Sequence, residues 1–186
     1  MRAGRRDGGT AGRRARRLLV SLLILLLVAF PSIGLPALAA QEVGLDTGTT
    51  PAPAVVQDLG GQSADLSQLY VGRKPVVIEF WATWCPICRA LLPRMEAAYH
   101  RWGSRVEFVV VGVGVNETRQ TMQRHLDEHP MPFHFYFDFS GAAVRAFEAP
   151  STSYVVALDA RGRVVYTGIG EGQDIDGAAR RAAGER

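Results

Sequence analysis

Two almost continuous apolar runs, at residues 76–81 (VVIEFW) and 106–113 (VEFVVVGV), limit most strongly what this chain can fold into. A strand that alternates apolar and polar residues buries one face, whereas a continuously apolar strand is buried on both faces, as at the centre of a sheet covered by helices. Between the two runs, residues 85–102 have helical spacing of their apolar positions, interrupted by Pro93. This pattern predicts the core of an α/β domain.

The segments around this core predict the rest of a mixed sheet. Residues 55–69 are typical of a short hairpin that turns at Gly60-Gly61, and strands at 154–158 and 163–166 form a second hairpin across the turn 159–162 (DARG). The predicted fold is therefore α/β, a mixed β-sheet flanked by helices on both faces, with an N-terminal hairpin extension. The other predicted elements are a helix at 117–129, a strand at 133–137, a short helix at 142–147 and a helix at 175–183.

The N-terminus has the organisation of an export signal. Seven arginines precede residue 18, an uncharged stretch of 23 residues follows at 18–40, and small residues end it at Ala37-Leu38-Ala39. This order is that of a cleaved signal peptide, and the stretch is also long enough to be an uncleaved anchor across ~30 Å of hydrocarbon. Either alternative predicts an extracytoplasmic domain at 55–186, periplasmic or on the outer face of the membrane, after a linker at 41–54.

The N-terminal arginines are also the source of the net positive charge of the chain. The formal net charge is +3, but the arginines before residue 18 account for it, and the rest of the chain has a small acidic excess. No basic patch remains that would indicate a nucleic-acid partner. Membrane association is predicted only through the N-terminal segment, if that segment is not cleaved.

The chain has two cysteines, Cys85 and Cys88, placed directly after the first buried strand and at the start of a helix. A thiolate attacks a disulfide, and a helix N-terminus stabilises a thiolate because its N–H groups lack partners. Cys85 is therefore the predicted nucleophile and Cys88 the resolving thiol. Pro86 suits the first helical position, where its missing N–H costs no hydrogen bond.

Two other interpretations of the cysteines remain open. A purely structural disulfide between them would close a very short loop and gain little chain entropy. A zinc site could combine them with His125 and His129, which are four apart on a predicted helix, although the intervening chain is long for a zinc finger.

The segment 80–89 (FWATWCPICR) resembles the active site of the thioredoxin superfamily, and is most similar to the TlpA/ResA-like exported thiol–disulfide oxidoreductases. Residues 72–77 and the turn at 159–162 match the same family. The resemblance implies a thioredoxin-like domain that reduces protein disulfides, without a soluble cofactor or metal, and receives electrons from a membrane-bound donor. The alternatives are a dithiol oxidase of the same fold, or a metal-binding or redox-sensing module that is not an enzyme.

The resemblance also implies roles for further residues. Glu79 takes the position of a buried acid beneath the disulfide, where a raised pKa would let it accept the proton of the resolving thiol. It could instead reach solvent or pair with Lys74. Trp84 and Pro86 flank the cysteines as candidate substrate contacts.

Two positions depart from the family. The family has a cis-proline before the strand that leads to the 159–162 turn, and this chain has Ser153 there, with Pro150 three residues earlier. Both are candidate substrate-binding residues, and a peptide bond before Ser153 is expected to be trans, because the cis form costs ~3 kcal/mol without proline. Leu91 stands where many ResA-type relatives have a glutamate.

Overall fold

The computed structural model describes residues 44–185. The predicted signal peptide or anchor at 1–40 lies outside the described residues. Within 44–185, no helix has both the length and the apolar character needed to cross a bilayer. The strands are β1 (Val55–Asp58), β2 (Ser63–Asp65), β3 (Val76–Trp81), β4 (Glu107–Val113), β5 (His134–Asp138), β6 (Tyr154–Leu158) and β7 (Val164–Gly168), and the helices are α1 (Ser67–Tyr70), α2 (Pro86–Trp102), α3 (Arg119–Glu128), α4 (Ala142–Ala146) and α5 (Ile175–Ala182).

The seven strands form one sheet in the order β2-β1-β5-β4-β3-β6-β7. β3, β4 and β5 are parallel neighbours, whereas β6 is antiparallel to β3, and β7 is antiparallel to β6. All six residues of β3 are buried, since β4 and β6 flank it and helices cover the sheet. This arrangement confirms the predicted mixed sheet, including the hairpin of β1 and β2 at one edge.

The face of the sheet below α2 is identified by side-chain alternation. Glu79 in β3 is in register with Val110 in β4, and Phe108 lies two residues earlier in β4, on the same face. The Phe108 ring contacts Tyr99 of α2, with 5.7 Å between ring centroids. Glu79 therefore points to the face that α2 covers.

The next residue in β3 points to the opposite face. Phe80 contacts Phe147, which directly follows α4, and Phe147 contacts Tyr70 of α1. Trp81 returns to the first face, where it contacts His125 of α3 at 5.4 Å between ring centroids. Helices therefore lie on both faces, with α2 and α3 on the side of Glu79.

Helix α2 is attached to α5 at its C-terminal end. The indole of Trp102, the last residue of α2, is buried and donates from Nε1 to Oδ1 of Asp176 at 2.8 Å. The guanidinium of Arg105 lies over the same ring, 4.7 Å from its centroid. These contacts fix the end of α2 that is opposite to the cysteines.

The described part of the predicted linker, residues 44–54, packs against the domain. Gly48 donates its N–H to the carbonyl of Val164 at 2.7 Å, and Val164 donates to the carbonyl of Thr49 at 2.8 Å. Ala54 is part of the buried core. These residues thus line the start of β7 instead of forming a free connection.

Helix α3 begins two residues later than the sequence pattern predicts. Thr118 is its N-cap, and the Thr118 and Thr121 side chains each accept a backbone N–H from the other residue. This reciprocal cap fixes the N-terminal end of the helix at Thr118. Glu117, predicted to lie in the helix, is therefore in the loop between β4 and α3.

Candidate active site

Cys85 and Cys88 form a disulfide at the N-terminus of α2. Cys85 is the N-cap, with extended backbone angles, and Pro86 is the first helical residue. The backbone N–H of Cys88 donates to Sγ of Cys85 at 3.1 Å. This is the arrangement that stabilises negative charge on an N-terminal sulfur, because unpaired helix N–H groups point at it. The disulfide itself is buried, with Cys85 2% and Cys88 1% exposed.

Exposed apolar side chains lie at the same edge of the sheet as the disulfide. β3, β4, β5 and β7 run in one direction, so their carboxyl ends share that edge. Trp84 and Ile87 follow β3, Val115 follows β4, Phe139 follows β5 and Ile169 follows β7, and all five are exposed. The indole Nε1 of Trp84 donates to the carbonyl of Val115 at 2.9 Å. Pro86, between the cysteines, is also exposed. The edge of the sheet that carries the disulfide thus also carries exposed apolar side chains that can contact a polypeptide.

Glu79 is a buried acid on the α2 face of β3. Its side chain is 2% exposed, and Oε1 has no hydrogen-bond partner among residues 44–185. Burial raises the pKa of Glu79 from 4.5 to about 8, because a low-dielectric environment disfavours the charged form. The carboxyl does not reach solvent, and the described residues include no salt bridge from it to Lys74.

Ser153 immediately precedes β6, beside the carboxyl end of β3. Its backbone is left-handed, with φ of 62°, and all peptide bonds of residues 44–185 are trans. The N–H of Ser153 donates to the carbonyl of Phe80 at 2.8 Å, Oγ accepts from the N–H of Gly170 at 3.2 Å, and the carbonyl accepts from Nε2 of Gln173 at 2.9 Å. Pro150 is exposed, three residues away. Proline at 153 could not donate the hydrogen bond to Phe80.

Glu117 is a residue of the site that sequence reasoning missed. It is 7% exposed, and its carboxylate accepts hydrogen bonds from Thr83 N at 2.8 Å, Thr83 Oγ1 at 2.6 Å, Thr118 N at 3.2 Å and Thr121 Oγ1. Burial alone would raise the pKa of Glu117, but the hydrogen bonds from Thr121, Thr83 and Thr118 outweigh it and lower the pKa below 4.5. The pair of threonines three apart was the available signal, since it indicates a helix start after Glu117.

The histidines considered for zinc lie beside Trp81. The rings of His125 and His129 stack at 4.6 Å between centroids, and His125 contacts Trp81. In the part of the chain that the structure describes, no group of three or more His, Cys, Asp or Glu side chains could hold a metal. The histidines and the cysteines thus do not form one site. Leu91, at the position of the family's glutamate, is fully buried in the core.

A thioredoxin-like sheet with a Cys-x-x-Cys disulfide at the N-terminus of the helix that follows the buried inner strand β3 defines a thiol–disulfide oxidoreductase. The sequence matches the Redoxin family over residues 47–181, and the chain belongs to that family. Within the thioredoxin superfamily it is TlpA/ResA-like, as the sequence motif indicated.

Two relatives and one solved structure define the similarity. The thiol-disulfide oxidoreductase ResA of Halalkalibacterium halodurans is 29% identical over 117 residues, which cover 62% of this chain and 64% of that protein. ResA of Bacillus subtilis is 26% identical over 156 residues, which cover 82% and 85%. The structure of a secreted Mycobacterium tuberculosis disulfide oxidoreductase superposes with a TM-score of 0.58 at 23% identity, covering 68% of this chain and 94% of that one.

Proposed function

We propose that this protein is a disulfide reductase that acts outside the cytoplasm and reduces disulfides of other proteins through the dithiol form of Cys85 and Cys88. The observation that carries the proposal is the cysteine pair at the N-terminus of α2, with the Cys88 N–H directed at Cys85 Sγ at 3.1 Å. A sulfur in this position is the better nucleophile of the two, because the helix terminus favours its thiolate.

The reaction transfers two electrons in two exchange steps. The Cys85 thiolate attacks a substrate disulfide, a mixed disulfide forms, and the first substrate sulfur leaves as a thiolate. Cys88 then loses its proton and attacks Sγ of Cys85, the mixed disulfide breaks, and the second substrate sulfur leaves. Both substrate thiolates take protons from water. The protein ends in the Cys85–Cys88 disulfide form that the structure has.

Glu79 accepts the proton of Cys88 in the second step through its ionised form, which is the minor form at neutral pH because the pKa is about 8. Its side chain is on the sheet face below α2, where solvent is excluded, so an internal base is needed there. A carboxyl with a pKa of about 8 exchanges protons efficiently near neutral pH. The absence of a hydrogen bond to Oε1 within residues 44–185 leaves that oxygen available for a proton.

The substrate is a polypeptide that contacts the exposed residues around the sulfurs. Trp84 and Pro86 provide an exposed apolar surface beside Cys85, and the loop before β6 contributes the exposed Pro150, whereas Ser153 is buried and acts by fixing the backbone of that loop. Trp84 is 45% exposed although it is large and apolar, which suits a transient protein contact.

The N-terminal sequence supports export, and the chemistry supports an external supply of electrons. The arginine-rich start and the apolar stretch at 18–40 support action in the periplasm or at the outer face of the membrane. A relative of known structure is described as secreted, which agrees with this location. A reductase in an oxidising compartment must be re-reduced after each turnover, so a membrane-bound donor is proposed. Electrons pass between sulfurs, and no soluble cofactor is required.

A redox titration tests the direction of the reaction. The Cys85/Cys88 couple is equilibrated with dithiothreitol or glutathione buffers, and the reduced fraction is counted by thiol alkylation. A potential near about −270 mV supports a reductase, whereas one near about −120 mV would assign the protein to the dithiol oxidases. The Cys88→Ser variant is the control, since it cannot form the internal disulfide.

A further inference from the structure

We propose that Glu117 is a positioning residue for Cys85: its carboxylate fixes the turn before the nucleophile and thereby keeps the sulfur at the N-terminus of α2. The inference rests on the proposed attack by Cys85. It concerns a residue outside the cysteine motif, on the loop between β4 and α3.

The backbone of Thr83, two residues before Cys85, is held from both sides. Oε2 of Glu117 accepts from Thr83 N at 2.8 Å and from Thr83 Oγ1 at 2.6 Å. The guanidinium of Arg89, one turn into α2, donates from Nη1 to the Thr83 carbonyl at 3.2 Å. The N–H, the hydroxyl and the carbonyl of Thr83 are therefore all hydrogen-bonded to groups outside the turn.

The next residue is attached to the same loop. Trp84 donates from Nε1 to the carbonyl of Val115, two residues before Glu117. Cys85 then closes the turn by donating its N–H to the carbonyl of Ala82 at 3.1 Å. Every residue between the end of β3 and the nucleophile is thus fixed, and the Glu117 carboxylate makes the most bonds to this turn.

The geometry of the turn decides where the sulfur lies. Cys85 is an N-cap with φ of −82° and ψ of 108°, and this backbone conformation directs Sγ at the N–H of Cys88. If the turn before Cys85 becomes mobile, Sγ of Cys85 spends less time beside the N–H of Cys88. The helix terminus then stabilises the Cys85 thiolate less.

A carboxylate is the appropriate anchor because all four of its partners donate. Thr83 N, Thr83 Oγ1, Thr118 N and Thr121 Oγ1 present hydrogens to the two oxygens. An amide can accept these bonds with one oxygen only, and its NH₂ group would face the donors on the other side. The lowered pKa of Glu117 keeps the carboxylate ionised throughout the neutral range.

Three substitutions test the proposal in the reduced protein, and the readout is the pKa of the Cys85 thiol, from thiolate absorbance and from the pH profile of alkylation. Glu117→Asp keeps the charge but is one carbon too short to reach Thr83 and Thr118 together. Thr83→Val removes the hydroxyl bond and leaves the charge of Glu117 unchanged. Both are expected to raise the thiol pKa by about half a unit to one unit, and Thr83→Ser is expected to restore the wild-type value.

The third substitution separates positioning from simple electrostatics. Glu117→Gln removes a negative charge, and if charge alone mattered, the thiol pKa would fall in this variant and stay unchanged in Glu117→Asp and Thr83→Val. A thiol pKa that falls in Glu117→Gln and is unchanged in the other two variants overturns the proposal. A thiol pKa equal to that of the wild type in both Glu117→Asp and Thr83→Val also overturns it. Trp102→Phe is the folding control, because it weakens the far end of α2, about 25 Å away, and should leave the thiol pKa unchanged.

The readout is independent of the proposed function. A thiol pKa requires only the reduced protein, without substrate or turnover. If the protein fails to reduce protein disulfides while Glu117→Asp still raises the thiol pKa, the reductase proposal falls and the role of Glu117 stands.

Discussion

The carboxyl of Glu79 should make the stability of the domain fall as the pH rises. Burial raises its pKa from 4.5 to about 8, so between these pH values the folded protein keeps a proton that the unfolded chain has lost. The folded state then binds more protons than the unfolded state, and the free energy of unfolding decreases with increasing pH. Glu79→Gln keeps the size and polarity of the side chain and removes this titration.

The size of this decrease in the free energy of unfolding follows from the two pKa values of Glu79, about 8 in the folded protein and 4.5 in the unfolded chain. At about 1.4 kcal/mol per pH unit, the penalty for Glu79 relative to strongly acidic solution is about 2 kcal/mol at pH 6 and about 4 kcal/mol at pH 8. The stability of Glu79→Gln relative to the wild type should therefore increase by about 2 kcal/mol between pH 6 and pH 8, with the variant favoured at the higher pH.

Guanidinium chloride unfolding of the oxidised proteins at several pH values measures this difference, because the oxidised state removes cysteine titration from both proteins. Glu96→Gln, which removes a partly exposed carboxyl from α2, controls for the loss of one formal charge. The same Glu79→Gln protein should exchange disulfides more slowly, because Cys88 loses its proton acceptor.

Parallel stability curves for the wild type and Glu79→Gln from pH 6 to 8 would refute the reasoning, since a carboxyl that ionises at its ordinary pKa gives no difference in slope. If Glu79→Gln and the wild type exchange disulfides at the same rate between about pH 6 and 9, the role of Glu79 as proton acceptor is separately refuted.

Three further predictions concern other parts of the domain. Ser153→Pro should destabilise the protein by about 3 kcal/mol in chemical denaturation, because proline can neither adopt a φ of 62° nor donate to the Phe80 carbonyl; an unchanged midpoint would contradict this structure of the loop. Trp102→Phe should cost about 2 kcal/mol by the same assay through loss of the hydrogen bond to Asp176, and Asp176→Asn should cost less. Reduced Cys88→Ser should accumulate a mixed disulfide with a substrate protein on non-reducing gels; equal accumulation by the wild type would argue against Cys88 as the resolving thiol.

The central part of the fold could be predicted because burial and sequence period agree there. β3 has the predicted bounds, since a strand buried on both faces produces a continuous apolar run that ends where the chain leaves the sheet. The start of α2 was equally predictable, because Pro86 marks the first helical position.

The site could be predicted only where local sequence determines it. The cysteine motif is local, whereas the anchoring of Thr83 by Glu117 joins residues 34 apart and has no sequence signature of its own. Helical periodicity also placed Glu117 within α3, because the pattern does not distinguish the last loop residue from the first helical one without the cap. The conformation of Ser153 likewise depends on Gly170 and Gln173, which are distant in sequence.

The pairing of residues 48 and 49 with Val164 affects how the domain resists aggregation. β7 is one edge of the sheet as described, and β2 at the other edge has three residues. Open edge strands can pair with strands of other molecules, and short or covered edges prevent this. Gly48 and Thr49 occupy the main-chain groups of Val164 at the start of β7. A chain without residues 48 and 49 would expose those groups to other molecules and favour self-association by strand pairing.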